Sequence, residues 1–166
     1  MKTLHSRTAF MIVLAMSLAG GSAAQAEEEK KMQSPGEPSE HVMVTAADLQ
    51  WADGPLPSTK LVVLEGDPKT PGPFTMRLKL PADYRIPPHW HPAHERVTVI
   101  SGTFNVGRGD QFDPTKGKTM PAGSFMLMPP KTNHFAWVKE ETIIQINGIG
   151  PWALNFVNPA DDPRNK

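Results

Sequence analysis

The sequence predicts an all-β fold: a single domain of short strands closed into a sandwich or barrel. Three observations predict it. Proline is 18 of 166 residues, about twice common usage, which disfavours a helix bundle and suits strands joined by turns. Short apolar or alternating runs recur, each bounded by turn residues, at the 8–12-residue spacing of a sandwich or barrel. Only residues 46–51 have a helical pattern, and they make at most one or two turns.

Composition narrows the function classes. Hydrophobic residues are 39% and Gly 13, near the globular norm. Lys and Arg number 17 against 17 Asp and Glu, which lacks the basic excess of a nucleic-acid binder. The absence of Cys excludes disulfide scaffolds, thiol catalysis and Cys-type zinc sites. The six His remain as the main source of chemistry.

The chain opens with Lys2 and Arg7, an apolar run over residues 8–19, and Ala24-Gln25-Ala26. This is the pattern of a secretory signal peptide over residues 1–26, cleaved after Ala26. The run falls short of the ~20 apolar residues that a bilayer crossing needs. Cleavage leaves 15 basic against 17 acidic residues, a net charge of −2. The expected product is soluble, has no membrane anchor, and is secreted or periplasmic. Residues 27–40 are charged and poor in apolar side chains, so they read as a flexible leader. Residues 158–166 read as a flexible tail by the same logic, leaving residues 41–157 as the folded domain.

Within the domain, residues 61–64 form an apolar run that ends at Gly66-Asp67-Pro68. Residues 74–80 alternate apolar side chains with Thr75, Arg77 and Lys79, the period of a half-buried strand. Residues 96–100 are β-branched after Arg96 and turn at Ser101-Gly102, and residues 103–106 follow. Residues 125–128 stop at Pro129-Pro130, and runs at 134–138, 142–146 and 152–157 complete the series.

The sharpest local feature is His89-Trp90-His91-Pro92-Ala93-His94-Glu95. In a strand, His89 and His91 point to one face with Cα atoms about 6.7 Å apart, so their imidazoles can converge on one ion. Glu95 shares their parity, but Pro92 makes a turn there, and parity alone does not return Glu95 to the pair. His134 begins a later strand, and a barrel wall can bring it opposite. Three imidazoles and a carboxylate suit a divalent transition metal, Mn, Fe, Co, Ni, Cu or Zn, with positions left for water, oxygen or substrate. His94 has the opposite parity and is expected to be exposed or to stand behind a ligand. A pairing of His91 with His94 would need a helix or a tight turn. His41 is expected to be solvated.

These residues resemble the cupin superfamily. His89, His91, Glu95 and Gly102 fit its first motif, Gly-x5-His-x-His-x3,4-Glu-x6-Gly, with Asp83 in place of the leading Gly. Gly123, Pro129 and His134 fit the second, Gly-x5-Pro-x-Gly-x2-His-x3-Asn, with Lys131 and Val138 replacing the inner Gly and the final Asn. The sequence is similar to small exported bacterial cupins and to the cupin-like domains of zinc-dependent anti-sigma factors. The resemblance implies a cupin-type β-barrel, the double-stranded β-helix or jelly roll. It implies one metal held by His89, His91, Glu95 and His134, and it allows a homodimer. It does not select a reaction, because the fold hosts many.

Trp90, Phe104, Phe125, Met126, Met128, Phe135 and Trp137 are candidates for a ligand cavity or for the core. Phe135 and Trp137 share the face opposite His134, which argues against a place in the pocket. Arg77 fits a solvated strand face better than a substrate clamp, and nothing places Tyr84 near the metal. The leading expectation is a metal-dependent enzyme on a small organic molecule, an oxygenase, isomerase or lyase of cupin type, with no catalytic base identifiable beyond His94 as the one nearby candidate, or Glu95 if it leaves the metal. The alternative is a metal-holding sensor or binding module without turnover. A barrel that uses metal only for stability is a third reading.

Overall fold

The computed structural model describes residues 41–165. The expected signal peptide and leader lie outside the described residues. A 3-10 turn at Ala46–Asp48 takes the place of the helix allowed at 46–51. Eleven strands follow: β1 Ala52–Asp53, β2 Lys60–Glu65, β3 Gly72–Leu80, β4 Arg85–Trp90, β5 Glu95–Ser101 and β6 Thr103–Arg108, then β7 Gly117–Pro121, β8 Phe125–Met128, β9 His134–Trp137, β10 Thr142–Gly150 and β11 Asn155–Phe156. They form a six-stranded sheet of order β1-β2-β3-β10-β5-β8 and a five-stranded sheet of order β11-β4-β9-β6-β7. Each ladder between them is antiparallel. This is the expected all-β sandwich, the architecture of a double-stranded β-helix. No helix among the described residues is long and apolar enough to cross a membrane.

The alternation in β3 points Phe74, Met76, Leu78 and Leu80 inward, where they meet Ile144 and Ile146 of β10 and Val97 and Val99 of β5. The second sheet contributes Ile86, Phe104, Val106 and Ala136 to the same core. Burying one such side chain is worth about 1.5–3 kcal/mol, so this two-sided layer holds the sheets together.

The outer face of the five-stranded sheet carries a separate aromatic cluster. Phe135 is fully buried there although it points away from the core. Phe112 covers it at 5.1 Å between ring centroids and meets Trp137 at 5.6 Å. Gly107 and Gly117 lie flat beneath these rings: a Cβ on Gly107 would strike the Phe135 ring, and one on Gly117 would strike Trp137.

Three strands lie outside the runs that the sequence displays: the two-residue β1, β4 and β7. β7 is mostly exposed and has no apolar alternation. β4 is disguised by Pro87 and Pro88, which lack the N–H of a ladder. The β4–β9 register shifts between Ile86 and His89. That irregularity lets Ile86 and His89, three residues apart, both face the interior, against the two-residue period of a regular strand. The β11 strand is shorter than the run at 152–157. Residues 158–165, expected as part of a flexible tail, form 3-10 turns at Pro159–Asp161 and Pro163–Asn165. Asn158 and Asp162 accept from the backbone N–H two residues on, at 3.1 and 2.9 Å. An Asx side chain before Pro starts such a turn, a signal that the tail's charge and polarity obscure.

Candidate metal centre

The two sheets converge on four side chains at one end of the sandwich. His89 of β4 and His134 of β9 are direct partners across the ladder, with ring centroids 4.2 Å apart. His91 sits just past the end of β4, and its ring lies 5.0 Å from His89 and 5.2 Å from His134. Potential ligand nitrogens of the three His lie within 4.8 Å of one another, and all three residues are buried. Glu95 opens β5 in the opposite sheet. The turn through residues 92–94 carries the chain from one sheet to the other and brings Glu95 back to the His group. Its carboxylate lies 3.4 Å from His91 Nε2 and 3.3 Å from His134 Nε2.

Backbone carbonyls orient each ring. His89 Nδ1 meets the Pro87 carbonyl at 2.7 Å, His91 Nδ1 the Ala153 carbonyl at 2.8 Å, and His134 Nδ1 the Thr132 carbonyl at 2.9 Å. A carbonyl only accepts, so each Nδ1 carries the proton and donates. In the neutral ring, Nε2 is then a bare lone pair. Burial, joined by the neighbouring His134 and His91, drives the His89 pKa down to about 3, so this ring is neutral at physiological pH. Burial also lowers His91. In Glu95, burial favours the neutral acid, but the imidazoles packed around it prevail and hold its pKa low.

The Glu95 carboxylate is therefore held ionised, facing Nε2 of His91 and of His134. His91 Nε2 and Glu95 Oε2 are buried without a hydrogen-bond partner. Leaving such groups unpaired costs about 1–3 kcal/mol each, more for a charge. A divalent cation satisfies all of them at once, so the residues present fit a metal.

Trp152 is a participant that sequence reasoning missed. It stacks on His91, with centroids 4.1 Å apart and planes 16° from parallel, and the next residue, Ala153, supplies the carbonyl for His91 Nδ1. Its backbone N–H donates to the Pro68 carbonyl at 2.7 Å, which anchors the segment. No spacing in the sequence ties Trp152 to a His some sixty positions earlier.

The motif departures keep the backbone geometry. Asp83 and Lys131 have φ of 58° and 57°, and Gly102 and Gly123 have 73° and 85°. All four are left-handed, the conformation that explains Gly at those positions. Val138 is buried in the core, and its N–H bonds the Tyr84 carbonyl at 3.0 Å.

Beside the His group lies a cavity of about 310 Å³. His89, Glu95 and His134 form its polar part, while Leu61, Met76, Leu78, Ile144 and Ile146 contribute to its walls. Of the aromatic and Met candidates, Phe104 and Met126 line it. The other five do not: Trp90 is half-buried outside the lining, Phe125 is exposed, Met128 is buried in the core, and Phe135 and Trp137 belong to the outer cluster. Trp152, Leu154 and Phe156 line it instead. His94 and His41 are exposed. Arg77 is on the outer face, with Nε donating to Gln145 Oε1 at 3.1 Å, and Tyr84 packs partly buried against the core.

Residues 39–153 match the family profile described as the ChrR cupin-like domain. No curated protein matches the sequence. Among solved structures, the polyketide cyclase RemF from Streptomyces resistomycificus superposes with a TM-score of 0.61 at 14% identity, over 75% of this chain and 90% of that one. An RmlC-like cupin from Shewanella frigidimarina gives 0.53 at 20% identity, over 67% and 91%. The DMSP lyase DddQ from Ruegeria pomeroyi gives 0.53 at 16% identity, over 66% and 61%. At these identities the likeness is one of fold.

Proposed function

The chain belongs to the ChrR cupin-like domain family, and from that premise we propose an exported metal-binding cupin that acts on a small organic molecule. One divalent transition metal would be held by His89, His91, Glu95 and His134. The observation that carries this reading is the cluster of three buried His whose Nδ1 atoms are tied to carbonyls, with Nε2 of His91 and His134 beside the buried Glu95 carboxylate. Bound there, the ion would supply Lewis acidity, an activated water or an oxygen-binding position. The chain's own residues would orient the ligands, exclude bulk water and hold the organic molecule in the apolar cavity. That structural relatives include a polyketide cyclase and a DMSP lyase supports small-molecule chemistry without choosing a reaction. Turnover tests the proposal: the metal-loaded protein, offered a broad panel, should consume a substrate or take up oxygen above background. A panel that leaves every compound and the oxygen level unchanged contradicts it.

One observation favours a second reading, a sensor module without turnover. The titratable side chains lining the cavity are the proposed ligands His89, Glu95 and His134, plus Lys69 and Arg164. Among the described residues, no carboxylate or imidazole other than the proposed ligands lines the cavity to act as a general base. A sensor should change its affinity for a ligand or partner when metal is removed; a calorimetric titration unaffected by chelation counts against it. The export part of the proposal predicts a mature chain beginning at Glu27 in the periplasmic or secreted fraction, and an intact N-terminus in the cytosol contradicts it.

A further inference from the structure

From the cavity walls we infer the chemical class of the ligand: a small hydrocarbon body carrying one anionic oxygen head group, not a sugar or another polyhydroxylated compound. This inference rests on the metal reading above. Among the described residues no Ser, Thr, Asn, Gln or Tyr side chain lines the cavity. A hydroxyl buried against Leu78, Ile144 and Ile146 would lose its water partners and gain none, at a cost of about 1–3 kcal/mol each. Two or three such hydroxyls abolish useful affinity, whereas a methylene in the same place gains about 0.8 kcal/mol. A cavity of about 310 Å³ has room for on the order of ten non-hydrogen atoms, if each takes about the volume of a water in the liquid.

The polar end is set by charge. Three neutral imidazoles and one carboxylate leave a divalent ion with a net positive charge, in surroundings of low dielectric. Lys69 and Arg164 also line the cavity and are exposed, so they stand where it meets solvent. Asp162 neutralises Arg164 at 2.6 Å. Lys69 makes no ion pair among the described residues. Glu95 is the one acid in the lining. The cavity therefore carries uncompensated positive charge at its polar positions, and its walls are apolar apart from Trp152, whose Nε1 is buried without a partner. An oxyanion on a hydrocarbon body matches both features.

The test is binding to the full chain loaded with cobalt(II), read by calorimetry and by the absorption spectrum of the ion. Cobalt content is measured on the same sample. The probes are octanoate, octanol with the same body and no charge, and xylonate with the same head and a hydroxylated body. Octanoate should bind at least about tenfold more tightly than either of the others, a difference of about 1.4 kcal/mol, and it alone should change the cobalt spectrum. If the protein holds cobalt but binds xylonate or octanol as well as octanoate, or binds none of them, the ligand class is wrong and the metal site stands. If the protein retains no cobalt, the metal reading fails and the ligand class fails with it.

Discussion

Each His in the centre has two jobs divided between its two nitrogens. Nδ1 anchors to a backbone carbonyl, and Nε2 is left for the proposed ion. The His91 anchor is unlike the others, because its carbonyl comes from Ala153, far along the chain, rather than from the residue two positions before. Trp152 holds that distant segment against the ring. Trp152→Ala should therefore weaken metal affinity by about tenfold, the range seen when residues behind a ligand are removed, although it deletes no donor atom. A chelator-competition titration measures this, and an unchanged affinity would show that the stacking is only packing.

The same burial that keeps His89 neutral makes the metal-free protein acid-sensitive. In the unfolded chain a His takes a proton near pH 6.5; in the fold His89 does so only near pH 3. Below pH 6.5 the unfolded state therefore binds more protons, and stability is lost as pH falls towards 3, at up to about 1.4 kcal/mol per pH unit for this one group. Glu95, held low, adds to the loss once pH falls below its ordinary value. The urea midpoint of chelator-treated protein should drop steadily from pH 7.5 to 4.5. A flat or rising midpoint contradicts the assignment of a buried neutral His89.

Lys131 is strained for a different reason. An L-residue in the left-handed region costs roughly 1–2 kcal/mol relative to the right-handed one, partly offset by the entropy lost on ordering a Gly. Lys131→Gly should stabilise the protein by about 0.5–1 kcal/mol, seen as a rise of a few degrees in Tm.

At the scale of elements, the strands that carry the site are of two kinds. β5 and β9 advertise themselves with β-branched or aromatic runs next to Glu95 and His134. β4, which carries His89, does not, because the Pro pair that hides it from a periodicity search also creates the irregular register that turns His89 inward. The His-x-His spacing, together with Glu95 and His134, was legible because their spacings alone fit the cupin motifs. The cavity was legible only in part. Its walls come from β2, β3, β10 and β11, whose meeting depends on sheet order, and sheet order leaves no local trace. Phe135 and Trp137 were separable from the site by parity alone, but parity does not say that Phe112 folds over them. That outer cluster gives an element-scale prediction. Gly107→Ala forces a methyl into the Phe135 ring, an overpacking that costs about 1–3 kcal/mol, and it should lower Tm without changing metal content. A tolerated substitution would mean that the aromatic cover is loose.

For the whole molecule, the absence of Cys takes on meaning if the protein is exported. An oxidising compartment offers it no disulfide, so stability would rest on the two-sheet core and on the proposed ion, which would join the sheets through Glu95. A ligand that binds only the folded state stabilises it by about 4 kcal/mol at a free concentration 1,000-fold above its Kd. Chelation should then lower Tm by about ten degrees. The most direct measurement is elemental analysis of the protein purified from its native compartment, in parallel with His91→Ala. The account predicts about one divalent transition metal per chain in the parent and close to none in the variant. A parent protein without metal, or a variant that keeps its full content, would contradict it.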